Sequence, residues 1–360
     1  MRLSHSAINK YLDCPKLYEY HYILNYRTTY ISSPLTFGSA IDKAIEYLLN
    51  NRTKLQNALN IFITEWRKVE NDANIQYSKS DIDYDLLSEV TLFCGSFDII
   101  KTLVKKREQN GYASLSKEKN DNFQLKNMSE LDLYNLASWS SLTIKADLMI
   151  KAFYYKILPK IKKLISTQKE IKLVGGENII VGFIDMIVEW EDGKTYIMDL
   201  KTSGSKYSEY KEDSVRSSQQ LGIYSEAEGI RDCGYLVLRK TPIKIRKKTC
   251  KVCGYKPKNG NRAKTCDNTI ENKRCRGIWH EEITFIGDTR VVLDVITEEH
   301  LEALFAKIDQ VVKDIQNGVF HKNAKNCEKY GGCPMYNLCR NNIDDGSLYI
   351  LTKEENLDKI

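Results

Sequence analysis

Apolar positions recur every three to four residues through Ser6–Tyr22, Ser39–Asn50, Leu55–Glu70, Leu86–Asn110 and Leu148–Ser166, and the spacing returns in Ser214–Ala227 and Glu298–Asn317. That period lays one face of a helix against a core, so helices are predicted over these segments. Between Lys172 and Leu238 the pattern changes to short runs rich in Ile, Val and Phe, and strand character resumes near Glu282. Strands are predicted there, and helices on either side of them describe an α/β fold.

Two of these runs, Ile179–Glu189 and Thr195–Lys201, are joined through Glu191-Asp192-Gly193 and predict a β-hairpin. Register decides which side chains share a face. A two-residue Asp-Gly loop pairs Met186 with Asp199 and turns Asp185 to the opposite face. A three-residue loop with Gly193 in the left-handed region pairs Trp190 with Lys194, and therefore Asp185 with Asp199. Only the second gathers Asp185, Asp199 and Lys201 on one face, and Gly is the residue it requires.

Two carboxylates a few ångströms apart repel unless a cation lies between them. Aspartate oxygens suit Mg²⁺ or Mn²⁺. Such a cation lowers the pKa of a coordinated water and offsets charge on a phosphate in transit, while an adjacent lysine orients the nucleophile or holds a phosphate oxygen. Asp185, Asp199 and Lys201 therefore carry the parts of phosphodiester hydrolysis. With 28% charged residues in the chain, an exposed Asp-x-Lys strand without that chemistry is the commoner occurrence, so the neighbouring motifs decide.

The order Gly182-Phe183-Ile184-Asp185, Asp199-Leu200-Lys201 and Gln220-Leu221-Gly222-Ile223-Tyr224 resembles the PD-(D/E)XK nuclease superfamily. It resembles in particular the RecB-like branch, which includes the CRISPR-adaptation nucleases and the AddB nuclease domain. The resemblance implies that Asp185 and Asp199 bind metal, with Lys201 beside them, and that Gln220 and Tyr224 lie on the following helix and help to position DNA. Glu170, ahead of the first strand, matches a position where relatives carry an acid; a solvated strand charge is the other reading. The opening Ser4-His5-Ser6 through Cys14-Pro15 is similar to the first helix of that branch, and Phe37–Glu46 to the helix bearing a metal-binding His. Asp42 stands at that histidine's place here, which implies either a carboxylate ligand or an altered second metal site.

The chain has ten cysteines, no N-terminal apolar signal run and no apolar stretch of about 18 residues. A bacterial or phage-infected host cytoplasm is expected, with no membrane partner, and cysteine clusters in that setting are more often metal sites than disulfides. Cys327, Cys333 and Cys339, with distant Cys14, resemble the iron-sulfur staple of the same branch. The resemblance implies a 4Fe-4S cluster clasping nearly the whole chain. A zinc site or free thiols are the alternatives. Cys94 and Cys233 fit no pattern and are expected to be buried thiols.

A second set, Cys250, Cys253, Cys266 and Cys275, lies between the strands expected at Tyr235–Lys240 and Glu282–Ile286, in a Gly-, Asn- and Lys-rich stretch. Such a segment cannot bury a core of its own, and a structural Zn²⁺ supplies the missing folding energy. The wide Cys266-to-Cys275 spacing leaves His280 as an alternative ligand. From Arg239 to Arg276 fourteen Lys or Arg face two acids, a net +12, whereas the whole chain carries +6 and its remainder therefore −6. Lys247, Lys248, Lys256 and Arg262 are candidate DNA contacts, because a basic finger attracts phosphate backbones without reading sequence. Solubilising a protruding loop is the other reading.

With 360 residues and 42% hydrophobic content, the chain has ample core for one compact enzyme. The expected arrangement is an N-terminal helical lobe at 1–165 with Cys14 and Asp42, and a nuclease core with a mixed central sheet at 166–248 and 281–317. An inserted zinc ribbon at 249–280 and an iron-sulfur segment and tail at 318–360 complete it. The expected function is a Mg²⁺- or Mn²⁺-dependent deoxyribonuclease, an exonuclease on single-stranded DNA or DNA ends in recombination, repair or phage replication, acting beside other proteins of those processes. One rival is a non-catalytic DNA-binding or scaffold subunit in which Asp42 marks a decayed site. Another is a zinc-ribbon protein of transcription. Intact Asp185, Asp199 and Lys201 argue against the first, and the ribbon's position inside the core against the second.

Overall fold

The computed structural model describes residues 1–69, 72, 74–83, 86–87, 130–175, 178–204, 210–258, 263–328 and 332–351. The chain forms two compact units. The first comprises Met1–Gln76, Tyr154–Leu238 and Thr289–Ile360, and the second Tyr77–Phe153 and Arg239–Asp288. The lobe expected at 1–165 is thus shared between them.

The main sheet has six strands: β1 (Arg2–Ser4), β2 (Ile161–Gly175), β3 (Asn178–Trp190), β4 (Thr195–Ser203), β5 (Asp232–Cys250) and β6 (Trp279–Val295). Its order is β1-β3-β4-β5-β6, with β2 also paired to β3. β1 runs parallel to β3, while β2 and β4 run antiparallel to it, which makes the sheet mixed. The β3–β4 hairpin adopts the three-residue loop. Trp190 N–H donates to Lys194 O and Gly193 N–H to Trp190 O, both at 2.9 Å. Gly193 has φ +87°, and Met186 pairs with Met198. Continued one residue, that register sets Asp185 opposite Asp199.

Helices of the first unit pack around this sheet. α1 (His5–Asp13) follows directly from β1, its N-cap Ser4 Oγ accepting from Ala7 N–H. α2 (Ser33–Asn51) buries Phe37, Ala40, Ile41, Ala44, Ile45 and Leu48, the three-and-four spacing of a core-facing stripe. α3 (Leu55–Arg67) meets it through Phe62 and Trp66, whose rings lie 6.0 and 5.6 Å from Phe37. α4 is Glu130–Ala152, in the second unit. α5 (Gln219–Glu228) starts at Ser218, whose hydroxyl accepts from Leu221 N–H. α6 (Glu298–Gln316) is capped by Thr297 and carries Glu298 and Glu299 in its first turn, where the helix dipole favours them. A side chain at Gly222 would approach Leu304 Cδ2 to 2.5 Å, so this glycine lets α5 and α6 close on one another.

Two helical expectations are corrected. Leu148–Ser166 is α-helical to Ala152 and continues as a π-helical turn over Phe153–Ile157 and a 3₁₀ turn over Leu158–Lys160, but residues 161–166 belong to β2. Pro159 cannot donate to a helix, and the residues after it pair with β3 through register shifts at Ile161/Lys163 and Leu164/Ser166. Ser214–Ala227 is two helices, Glu212–Arg216 and α5, because Ser218 caps the second. The segment expected at Leu86–Asn110 lies outside the described residues from 88 onward, as does Cys94. Cys233 is fully buried. Among the described residues no helix is long and apolar enough to cross a membrane.

Since an L-residue at a left-handed φ costs roughly 1–2 kcal/mol, Gly193→Val is expected to destabilise the protein by about that amount. A denaturant midpoint equal to wild type would show that the hairpin does not depend on this loop.

Candidate functional site

β3 and β4 bring the first two carboxylates together. Asp185 Oδ2 accepts from Leu200 N–H at 2.8 Å, which ties the side chain to the neighbouring strand. Asp199 is 1% exposed. The Lys201 ammonium stands 2.6 Å from Asp199 Oδ2. Lys201 Nζ also donates to Gln220 Oε1 at 3.1 Å, and Gln220 Nε2 donates to Tyr224 Oη at 3.0 Å. The Gln-x-x-x-Tyr spacing is what one helical turn needs to link these side chains. Tyr224 packs over Gly182, where a Cβ would lie 3.0 Å from the ring.

Asp42 joins them from α2. Gly38, one turn earlier, faces Thr202 of β4, with 3.9 Å from a built Cβ to the hydroxyl. Burial, then the charge of Asp199, pushes the Asp42 carboxyl up to about 6 against the pull of Lys201. Asp185 is raised to about 7 by burial, Asp199 and Asp42, with the Leu200 N–H and Lys201 opposing. Burial also raises Asp199, against Lys201. Burial disfavours the Lys201 charge, but Asp199 outweighs it and holds the ammonium protonated well above its ordinary range. Asp42, Asp185 and Asp199 supply carboxylate oxygens, the donor type that suits Mg²⁺ or Mn²⁺, and burial and neighbouring charge push Asp42 and Asp185 toward their neutral forms. Among the described residues only the Cys250 set brings three or more ligand atoms within 4.8 Å of one another.

Glu170 lies elsewhere. It is exposed on β2 and pairs with Lys172 at 3.4 Å, and it is not among the charges that shift Asp185. His5, to which the sequence pattern assigns no role, is drawn in: burial and the Lys201 charge push its imidazole down to about 4. Its only sequence signal is a place at the start of the opening helix.

The second unit holds a separate cysteine centre. The sulfurs of Cys250, Cys253, Cys266 and Cys275 all lie within 4.8 Å of one another, a set that could bind a metal ion. Cys250 and Cys275 are 3.7 Å apart, and Cys253 and Cys266 3.6 Å. Four thiolates at about 2.3 Å from a tetrahedral Zn²⁺ would be spaced by about 3.8 Å. Val252 and Cys253 N–H groups each donate to Cys250 Sγ at 3.4 Å, and Gly277 gives the sulfur room, since a Cβ there would approach it to 2.6 Å. The four thiols close the set by themselves, and His280 is exposed outside it. Of the basic candidates, Lys247 and Lys256 are exposed, whereas Lys248 pairs with Glu281 at 3.2 Å and lies over Trp279. Arg262 lies outside the described residues.

In the first unit Cys14, Cys327, Cys333 and Cys339 all line one small open pocket. The ends of the chain are stitched around it. Lys16 N–H donates to His321 O at 3.1 Å, Asn323 Nδ2 to Asp13 O at 2.9 Å and Asn323 N–H to Cys14 Sγ at 3.4 Å.

A family model of the PD-(D/E)XK nuclease superfamily matches residues 2–340. No curated protein matches the chain.

Because Asp185 holds its proton more tightly folded than unfolded, its contribution to stability is present at low pH. It is lost as pH rises from the ordinary carboxylate range through about 7. Without added divalent cation, Asp185→Asn should therefore raise the melting temperature relative to wild type at pH 8 and not at pH 4. Mn²⁺ should stabilise wild type at pH 8 more than the variant; equal shifts would separate Asp185 from any cation site.

Proposed function

The chain belongs to the PD-(D/E)XK nuclease superfamily, and we propose that it is a deoxyribonuclease that cleaves phosphodiester bonds at Asp185, Asp199 and Lys201. Nucleases of this superfamily use divalent metals. The observation that carries the reading is the convergence of Asp42, Asp185 and Asp199 on one lysine. In this proposal Asp185 and Asp199 hold Mg²⁺ or Mn²⁺, and Asp42 adds a third carboxylate where the resemblance expects a histidine. When bound, the cation supplies a water of lowered pKa and offsets charge on the phosphate.

The protein's own groups do the remaining work. Lys201, held protonated by Asp199, donates to a phosphate oxygen as negative charge accumulates there. Gln220 fixes the ammonium's direction, and Tyr224 fixes Gln220. The half-buried setting strengthens each of these interactions relative to water. The lysine is thus oriented before reaction, which lowers the cost of positioning it against a phosphate.

The finer reading is a RecB-like exonuclease on single strands or DNA ends, in recombination, repair or phage replication. The common cavity of Cys14, Cys327, Cys333 and Cys339 supports a 4Fe-4S cluster as its clasp. Sulfur spacings near a tetrahedral edge support Zn²⁺ on Cys250, Cys253, Cys266 and Cys275. The +12 stretch around them is suited to attracting DNA through Lys247 and Lys256.

Asp199→Ala and Lys201→Ala should each lower Mn²⁺-dependent cleavage of end-labelled DNA by roughly 10³-fold or more, with DNA binding retained. Full cleavage by both would remove the assignment. Anaerobically purified protein should contain about four irons and one zinc per chain. Iron should fall with Cys14→Ala and zinc with Cys253→Ala; iron-free, colourless protein from a cluster-competent host would reject the clasp.

A further inference from the structure

The strongest unexplained feature is a group of cations beside α1. Lys10 Nζ lies 5.2 Å from the centre of the Tyr22 ring, and the ring of Tyr22 meets that of His21 at 4.8 Å. Arg27 donates through one amino group to the His21 and Tyr26 carbonyls, the latter at 2.9 Å, which leaves its other N–H groups for a ligand. Among the described residues no carboxylate pairs with Lys10 or Arg27. Glu19, the acid nearest in sequence to His21, is engaged with Lys16.

Both cations are half-buried. Burial and Arg27 push the Lys10 ammonium down to about 8, and burial, Lys10 and Arg27 push the His21 imidazole down to about 3. Partly dehydrated like charges without a counter-ion are costly. An anion seated between them removes the cost.

Their position indicates which anion. His5, at the first turn of α1, already feels the charge of Lys201. Lys10 lies five residues further on, roughly 7–8 Å along the helix axis. Tyr22 lies near Ser4 at the helix cap, which joins the cation group to the end of α1 nearest Lys201. A guanidinium fork beside a lysine point charge is the usual donor pair for phosphate.

We infer that Lys10 and Arg27 form a subsite for a backbone phosphate of the DNA strand flanking the scissile position. This rests on the nuclease reading. The subsite is tested by titrating a labelled single-stranded oligonucleotide with protein across a salt series, without added divalent cation, so that cleavage plays no part. Lys10→Gln/Arg27→Gln should lower the log-log salt slope by about 1.4, at about 0.7 per phosphate contact on single strands. Lys10→Arg should keep the wild-type slope. Should the double variant fail to fold, Lys10→Gln alone should lower the slope by about 0.7 and, by relieving repulsion, should raise the melting temperature of the free protein.

An unchanged slope in the folded variants, or a wild type that does not bind the oligonucleotide, overturns the subsite. Cleavage is measured separately on the wild type with Mn²⁺. Cleavage with an unchanged slope rejects the subsite alone, whereas a lowered slope without cleavage rejects the nuclease reading alone.

Discussion

Repulsion among one buried and two half-buried carboxylates, only partly cancelled by one lysine, is the constraint on which the site depends. Asp199 is almost fully removed from water, and the Lys201 ammonium 2.6 Å away compensates one negative charge. Asp185 and Asp42 remain uncompensated and are pushed toward their neutral forms. A site so arranged is destabilised at neutral pH when empty and relieved by a divalent cation. Tolerating that cost requires rigid support from the fold. The Gly193 loop supplies the register, the close approach of α2 at Gly38 supplies Asp42, and the Ser218 cap aims Gln220 and Tyr224.

The cysteines solve a different problem in each unit. Among the described residues of the ribbon the buried cluster is small, Trp279 packing with the four thiols and its ring meeting that of Tyr255 at 6.5 Å. A metal would take the place of a core there. At the cavity of Cys14, Cys327, Cys333 and Cys339 the surroundings are well packed, with Tyr11, Tyr18 and Phe320 in mutual ring contact. A cluster at this position would mainly restrain the chain ends rather than create a core.

Much of this is legible in the sequence where local chemistry is decisive. Gly193 permits the three-residue loop that pairs Asp185 with Asp199, but Asp192-Gly193 also suits a two-residue turn, so the loop residues admit the register and the Trp190–Lys194 pairing selects it. The Cys250 set is legible because clustered thiols in an apolar-poor stretch serve chiefly to bind metal. The strand at residues 161–166 is not, since Ile161, Leu164 and Ile165 also fit a helical stripe, and the deciding pairing with β3 is non-local. Lys248 looks like any exposed lysine until the fold sets Glu281, 33 positions away, beside it. His5 and Lys10 are silent in the sequence for the same reason: their significance lies in Lys201 and Arg27, which only the folded chain brings near.

If Asp185 and Asp199 jointly hold a divalent cation beside Lys201, anomalous diffraction from crystals soaked in Mn²⁺ shows it most directly. A Mn²⁺ peak within coordination distance of both carboxylates, absent in Asp199→Ala crystals, is the expected result. Full-occupancy Mn²⁺ elsewhere, with the Asp185–Asp199 position empty, would contradict it.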